Sequence, residues 1–197
     1  MKIICITGYT GSGKTFMANF LHDKLPDSVY INGDIYMFEW MKNNLDKFKE
    51  IFGLPPELDD LKECFKHNIH TMKPEQFQKF LSVVASWVEA RIENAIAFQT
   101  TQNVKFIIIE WAGIHEFDIW GKADCCVVIN AQYEKLRENL KNRLIKDGRY
   151  SENHLNARTE IAKGLYKIKG RVDYIINNDY DEHFEVNAQQ LVNELIN

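Results

Sequence analysis

The chain has 197 residues, 45% of them hydrophobic, with a net charge of -4 and a pI near 5.9. That length supports one well-buried core and excludes two comfortable domains, and the acidic balance leaves no electrostatic footprint for non-specific nucleic-acid binding. Cys5, Cys64, Cys125 and Cys126 lack metal-ligand spacing and read as reduced thiols.

The opening residues enter a strand directly and no apolar run approaches a membrane span, so a cytoplasmic protein with no membrane or nucleic-acid partner is the expectation. Lys2-Ile3-Ile4-Cys5-Ile6-Thr7 suits a buried parallel strand, and the residues from Phe16 to Leu21 carry a helical pattern. Between them, Gly8-Tyr9-Thr10-Gly11-Ser12-Gly13-Lys14-Thr15 satisfies G-x-x-x-x-G-K-[ST] at every constrained position, in the strand-loop-helix context that a P-loop requires. A loop that wraps a polyphosphate turns consecutive backbone N–H groups inward, and side chains at Gly8, Gly11 and Gly13 would obstruct it. Thr10, Ser12 and Phe16 complete the nucleotide-binding set. Lys14, at a helix N-terminus, can reach the β- and γ-phosphates of ATP as a point charge, and Thr15 offers a hydroxyl to Mg2+.

The first helix is expected over 14–25, ending at Pro26-Asp27. Ser28–Asn32 reads as a second strand, and Asp34 just beyond it would share the rim of the P-loop, where open α/β sheets bind ligands. The competing role for Asp34 is a cap on a helix beginning near Ile35. Residues 35–101 read as helical, with Gly53-Leu54-Pro55-Pro56 as the one firm break and Lys73-Pro74-Glu75 opening a long helix. On that helix Phe77, Phe80, Leu81, Val84, Trp87, Val88, Ile92 and Ile96 recur at three- and four-residue spacing, which is a packing face. So many helical residues exceed a minimal crossover, and the excess is expected to cover the acceptor substrate. Residues 104–110 predict a third strand resembling a Walker B element, whose terminal Glu110 would hold Mg2+ through water or contact the acceptor. Strands follow at 125–129 and Tyr174–Asn177, and helices at 134–144, 152–169 and 186–196. The alternation predicts an α/β fold with a doubly wound, parallel five-stranded sheet.

Positive residues gather between the last two strands. Most read as a solvated helix surface, but Arg143 and Arg149 flank the turn-like Lys146-Asp147-Gly148. A lid over about 144–165 would bring Arg143, Arg149 and Arg158 over ATP, neutralising charge and excluding water. Asp118-Ile119-Trp120-Gly121 formally fits the D-x-x-G of switch GTPases but has no strand before it and is assigned to a loop. His67 and His70 read as surface residues rather than metal ligands, and Trp40, Trp111 and Trp120 as packing residues near the rim.

In its order of elements the chain resembles the dephospho-CoA kinase family. The likeness is clearest over residues 3–15, in Ala123-Asp124-Cys125-Cys126-Val127-Val128 through Arg143, in Asn156-Ala157-Arg158, and in Val172-Asp173-Tyr174-Ile175-Ile176-Asn177-Asn178. The resemblance implies a single P-loop kinase domain over 1–197, with an acceptor-covering helical insertion and a lid. It implies transfer of the γ-phosphate of ATP, with Mg2+, to the 3′-hydroxyl of dephospho-CoA, Asp34 orienting that hydroxyl and accepting its proton. Arg143 and Lys14 would assist catalysis, and Arg158 and Glu110 would contact the acceptor. The chain departs from the family where Glu110-Trp111-Ala112-Gly113-Ile114 replaces a Pro-Leu-Leu-like segment, where Ala85-Ser86 stands near the position of a His-Pro pair, and at Ala162, where a lid glutamine is frequent. These departures fall mostly where the acceptor is recognised. The alternatives are a nucleoside or nucleotide kinase and a non-catalytic, ATP-binding regulatory protein.

Overall fold

Five β-prone runs become strands of one sheet in the computed structural model, which describes residues 1–61, 64, 73–148, 150–164, 168 and 170–196. They are β1 (Lys2–Gly8), β2 (Ser28–Asn32), β3 (Phe106–Glu110), β4 (Cys125–Asn130) and β5 (Tyr174–Asn177). All four pairings are parallel and the spatial order is β2-β3-β1-β4-β5. The chain leaves β1 towards one edge and leaves β3 towards the other, so a crevice opens between the carboxyl ends of β1 and β3.

Helices α1 (Lys14–Lys24) and α8 (Glu182–Ile196) cover one face, burying Met17, Leu21, Phe184 and Leu191 against Ile4, Ile6 and Val127. Helices α2 (Gly33–Asn43), α3 (Leu45–Phe52) and α4 (Pro74–Thr100) cover the other. The predicted stripe packs as expected: Phe80, Val84, Val88 and Ile92 are buried, and the Phe80 ring meets Trp40, Phe48 and Phe52 at centroid distances of 5.9, 5.7 and 5.6 Å. The remaining helices are α5 (Asp118–Lys122), α6 (Tyr133–Lys146) and α7 (Glu152–Gly164). Leu136, Leu140 and Leu144 of α6 join Leu155 of α7 in a third cluster packed with Tyr9 of the P-loop.

Several boundaries differ from those expected. Helix α2 begins at Gly33 because Asn32 caps it, its Oδ1 accepting from the Asp34 N–H at 2.9 Å. A second break at Asn44 separates α2 from α3. The segment assigned to a loop at Asp118 forms the short α5, whose first N–H donates to Glu89 Oε1 at 3.0 Å and whose Ile119 and Trp120 are buried. Helix α8 starts four residues earlier than predicted, where Asp181 Oδ1 receives the His183 N–H. His67, His70 and Arg149 lie outside the described residues. None of the four cysteines is in a disulfide and all are buried, and burial pushes the thiols of Cys126 and Cys125 up to about 11 and about 12. Among the described residues no helix is long and apolar enough to cross a membrane.

Because Phe80 joins α4 to α2 and α3, Phe80→Ala is expected to cost about 3–5 kcal/mol. The check is the urea unfolding midpoint, and a loss below about 1 kcal/mol would show that these helices do not share one core.

Candidate active site

The crevice is built first from the P-loop. Gly13, at φ 100, forms the left-handed N-cap of α1, and a Cβ there would collide with Asn178 Nδ2. The loop is tied down by its carbonyls. Asn178 Nδ2 donates to Ser12 O at 2.8 Å, and Tyr180 Oη and Asn139 Nδ2 donate to Gly11 O at 2.8 and 3.1 Å. With the carbonyls held on the outside, the amide dipoles are organised for an anion. Ser12 Oγ is buried with no partner among the described residues, and Lys14 Nζ rests on Tyr9 O at 2.8 Å. A cradle without side chains, an unpartnered buried hydroxyl and a buried ammonium fit a triphosphate. The Phe16 ring is exposed and lies 5.5 Å from that of Phe184, which borders Gly13. Thr10 is half-buried within the loop.

Register brings the carboxylates to the same place. Glu110 closes β3 beside Ile6 of β1 and Asn32 of β2, and it is buried rather than being an exposed strand end. Its Oε2 accepts from Tyr30 Oη at 2.7 Å and from Thr15 Oγ1 at 3.4 Å. Burial raises the Glu110 pKa; the Lys14 ammonium and the Tyr30 phenol pull it down, the Asp34 charge raises it, and Thr15 lowers it. Mg2+ is commonly held by one or two protein oxygens together with water and phosphates, and Thr15 and Glu110 fit that donor set. Among the described residues no group of three or more His, Cys, Asp or Glu could hold a metal without such help.

Since Asn32 supplies the cap, the Asp34 carboxylate in the first turn of α2 is released towards the crevice. It remains open to water, yet the surrounding walls displace enough solvent to raise its pKa above the usual aspartate range. Lys14, the Trp111 indole and Arg143, in that order, oppose the rise. Lys14 is shifted the other way: burial lowers its pKa, Glu110 and Asp34 restore part of it, and Arg143 lowers it again. These couplings place Lys14, Asp34, Glu110 and Arg143 around one space.

Two further arginines between β4 and β5 contact other side chains. Arg137 pairs with Glu152, and Arg158 Nε donates to His154 Nε2 at 3.0 Å. Trp40, Trp111 and Trp120 are all buried, Trp120 Nε1 donating to Arg171 O at 2.8 Å. Sequence reasoning missed Tyr30, Asn139, Asn178 and Tyr180 as site residues. Tyr30 has a signal only once the register is known, because it pairs with Ile108 and so shares a sheet face with Glu110 two residues on. If the cradle is what the brace maintains, Gly13→Ala, which drives a Cβ into Asn178, abolishes ATP binding in calorimetry while the protein stays folded. Wild-type affinity in that variant would refute the brace.

No model of a known protein family matches the chain, and no curated protein sequence does. Solved structures match over nearly the full length. The Thermus thermophilus protein TT1252 gives a TM-score of 0.66 at 18% identity, covering 98% of this chain and 97% of that one. Shikimate kinase from Bacteroides thetaiotaomicron gives 0.53 at 17% identity, covering 99% and 98%. Dephospho-CoA kinase from Campylobacter jejuni gives 0.54 at 14% identity, covering 98% and 97%. The five parallel strands, their flanking helices and the loop after β1 give this chain the α/β fold of the P-loop kinases.

Proposed function

We propose that the protein transfers the γ-phosphate of ATP to an alcohol of a small molecule. The observation that carries this reading is the convergence of Lys14, Asp34, Glu110 and Arg143 on the mouth of the P-loop. A nucleotide sensor needs the loop alone; an aspartate raised above its ordinary range beside it serves a proton transfer. In this reading the loop amides and Lys14 bind the β- and γ-phosphates. Thr15 and Glu110 would hold Mg2+, which would supply charge neutralisation to the polyphosphate. Asp34 orients the acceptor hydroxyl and takes its proton. Arg143 has no ion-pair partner among the described residues and adds positive charge beside Lys14 and Asp34, where negative charge builds up during transfer. The helical segment 35–101 would cover the acceptor, and the segment 144–165, with Arg149 and Arg158, would close over the nucleotide.

The acceptor that the sequence resemblance supports is the 3′-hydroxyl of dephospho-CoA. The alternative acceptor is a nucleoside or nucleotide, because kinases of these substrates share the P-loop, the strand-end carboxylate and an arginine-bearing lid. Release of ADP, measured with ATP and Mg2+ against dephospho-CoA and a panel of nucleosides and nucleotides, separates the two. Binding of ATP with no turnover on any acceptor would support a regulatory protein instead.

Lys14→Ala is expected to lower kcat by about 100-fold or more, through loss of charge in a water-poor site, and near-normal turnover would remove Lys14 from the mechanism. Asp34→Asn is expected to lower kcat by roughly 100- to 10,000-fold with little change in ATP affinity. The kcat of the wild type should fall on the acid side with a midpoint above the usual aspartate value of about 4, because the carboxylate must be ionised to accept a proton and burial raises its pKa. The same shift sets the sign for stability. A carboxyl with a raised folded pKa loses stability as pH rises through it, so Asp34→Asn should raise the thermal midpoint of the nucleotide-free protein at pH 7.

A further inference from the structure

We propose that Trp111 is a positioning residue for Asp34: its indole, clamped between Gly33 and Gly113, fixes the first turn of α2 and with it the direction of the Asp34 side chain. This inference rests on the reading of Asp34 as the acceptor of the substrate proton.

The clamp is narrow. A Cβ on Gly33 would stand 2.6 Å from Trp111 Cγ and 2.7 Å from its Cβ, and a Cβ on Gly113 would stand 2.8 Å from Cζ3. Neither glycine needs a positive φ, so both are explained by close approach and not by backbone conformation. The outer edge of the clamp is Phe117, whose ring stacks on the indole at 4.9 Å. The backbone holds the base of the wedge, Trp111 N–H donating to Ile6 O at 3.2 Å and carrying the β1–β3 ladder one residue beyond Glu110. Gly33 is the first residue of α2 and Asp34 the second, so whatever fixes Gly33 fixes Asp34. The indole N–H also lies close enough to the Asp34 carboxylate to lower its pKa.

The clamp matters because the other groups facing Asp34 pull on it without directing it. Lys14 comes from the P-loop and Arg143 from α6, and each acts as a charge on its carboxylate; Glu110 of β3, held by Tyr30 of β2, repels it. An indole N–H has one direction and no charge. It orients one carboxylate oxygen while leaving the other for the acceptor hydroxyl.

The test is nuclear magnetic resonance on the full chain with nitrogen-15-labelled indoles, followed by turnover. The Trp111 resonance is identified by its loss in Trp111→Phe. In Asp34→Ala it is expected to move further than the resonance of Trp120, whose N–H is held by Arg171 O. A Trp111 resonance that stays in place in Asp34→Ala overturns the proposal, whatever the activity. Trp111→Phe should lower kcat about tenfold while leaving KM for ATP within about twofold, and in the Asp34→Ala background it should cause no further loss. Full additivity of the two losses overturns the proposal. Gly33→Ala, which keeps the indole but pushes it aside, should reproduce the kcat loss without moving KM for ATP, and wild-type kcat in that variant overturns the clamp. Wild-type turnover in Asp34→Ala would defeat the proton-acceptor reading instead, with the indole resonance still deciding whether Trp111 holds Asp34.

Discussion

Opposing charges share a crevice in which Lys14 and Glu110 are buried and Asp34 stands at the open edge, and the rest of the molecule is arranged around that fact. Burial lowers the Lys14 pKa and raises those of Glu110 and Asp34, and each group is partly rescued by another. Such an arrangement costs folding stability, because none of the three recovers in protein the hydration it had in water. In the proposed reading, what the fold gains is a site in which added phosphate charge would meet fixed dipoles and cations with little reorganisation.

Holding that arrangement takes elements distant in sequence. The P-loop carbonyls are pinned by Asn139 on α6 and by Asn178 and Tyr180 in the turn after β5, more than a hundred residues away. The carboxylates come from β3 and from the first turn of α2. Asn32 is central to this, because by capping α2 it leaves the Asp34 carboxylate without a structural duty. The Trp111 wedge extends the same logic: a bulky side chain at the end of β3 is accommodated only because Gly33 and Gly113 have none.

The two faces of the sheet divide the labour. The face covered by α1 and α8 is a mainly aliphatic core, and Tyr30 at its rim holds the Glu110 carboxylate. The face covered by α2, α3 and α4 is rich in large aromatic rings and extends over the carboxyl ends of the strands. Here the predicted stripe on the long helix proves to be packing surface, and the helices it joins include the one that bears Asp34.

The sequence by itself determined the P-loop, the five strands and the strand-end positions of Asp34 and Glu110. These depend on local rules: glycine spacing, apolar run length, and the period of strands and helices. It also showed that Arg143 stands next to a turn. It did not show the start of α2 at Gly33, because whether Asn32 or Asp34 caps a helix is a competition between two neighbouring side chains that only the fold settles. Nor did it show the helical turn at Asp118, which depends on Glu89 of a distant helix. The tertiary structure alone decided which strand lies beside β1, and hence that Glu110, Tyr30 and Thr15 meet. It alone decided that Asn178 props the loop and that Trp111 packs on Gly33, next to Asp34. The hydrogen bonds of Glu110 and Asn178 join residues between 80 and 166 positions apart through sheet register and close backbone approach, for which residue type and spacing leave no mark.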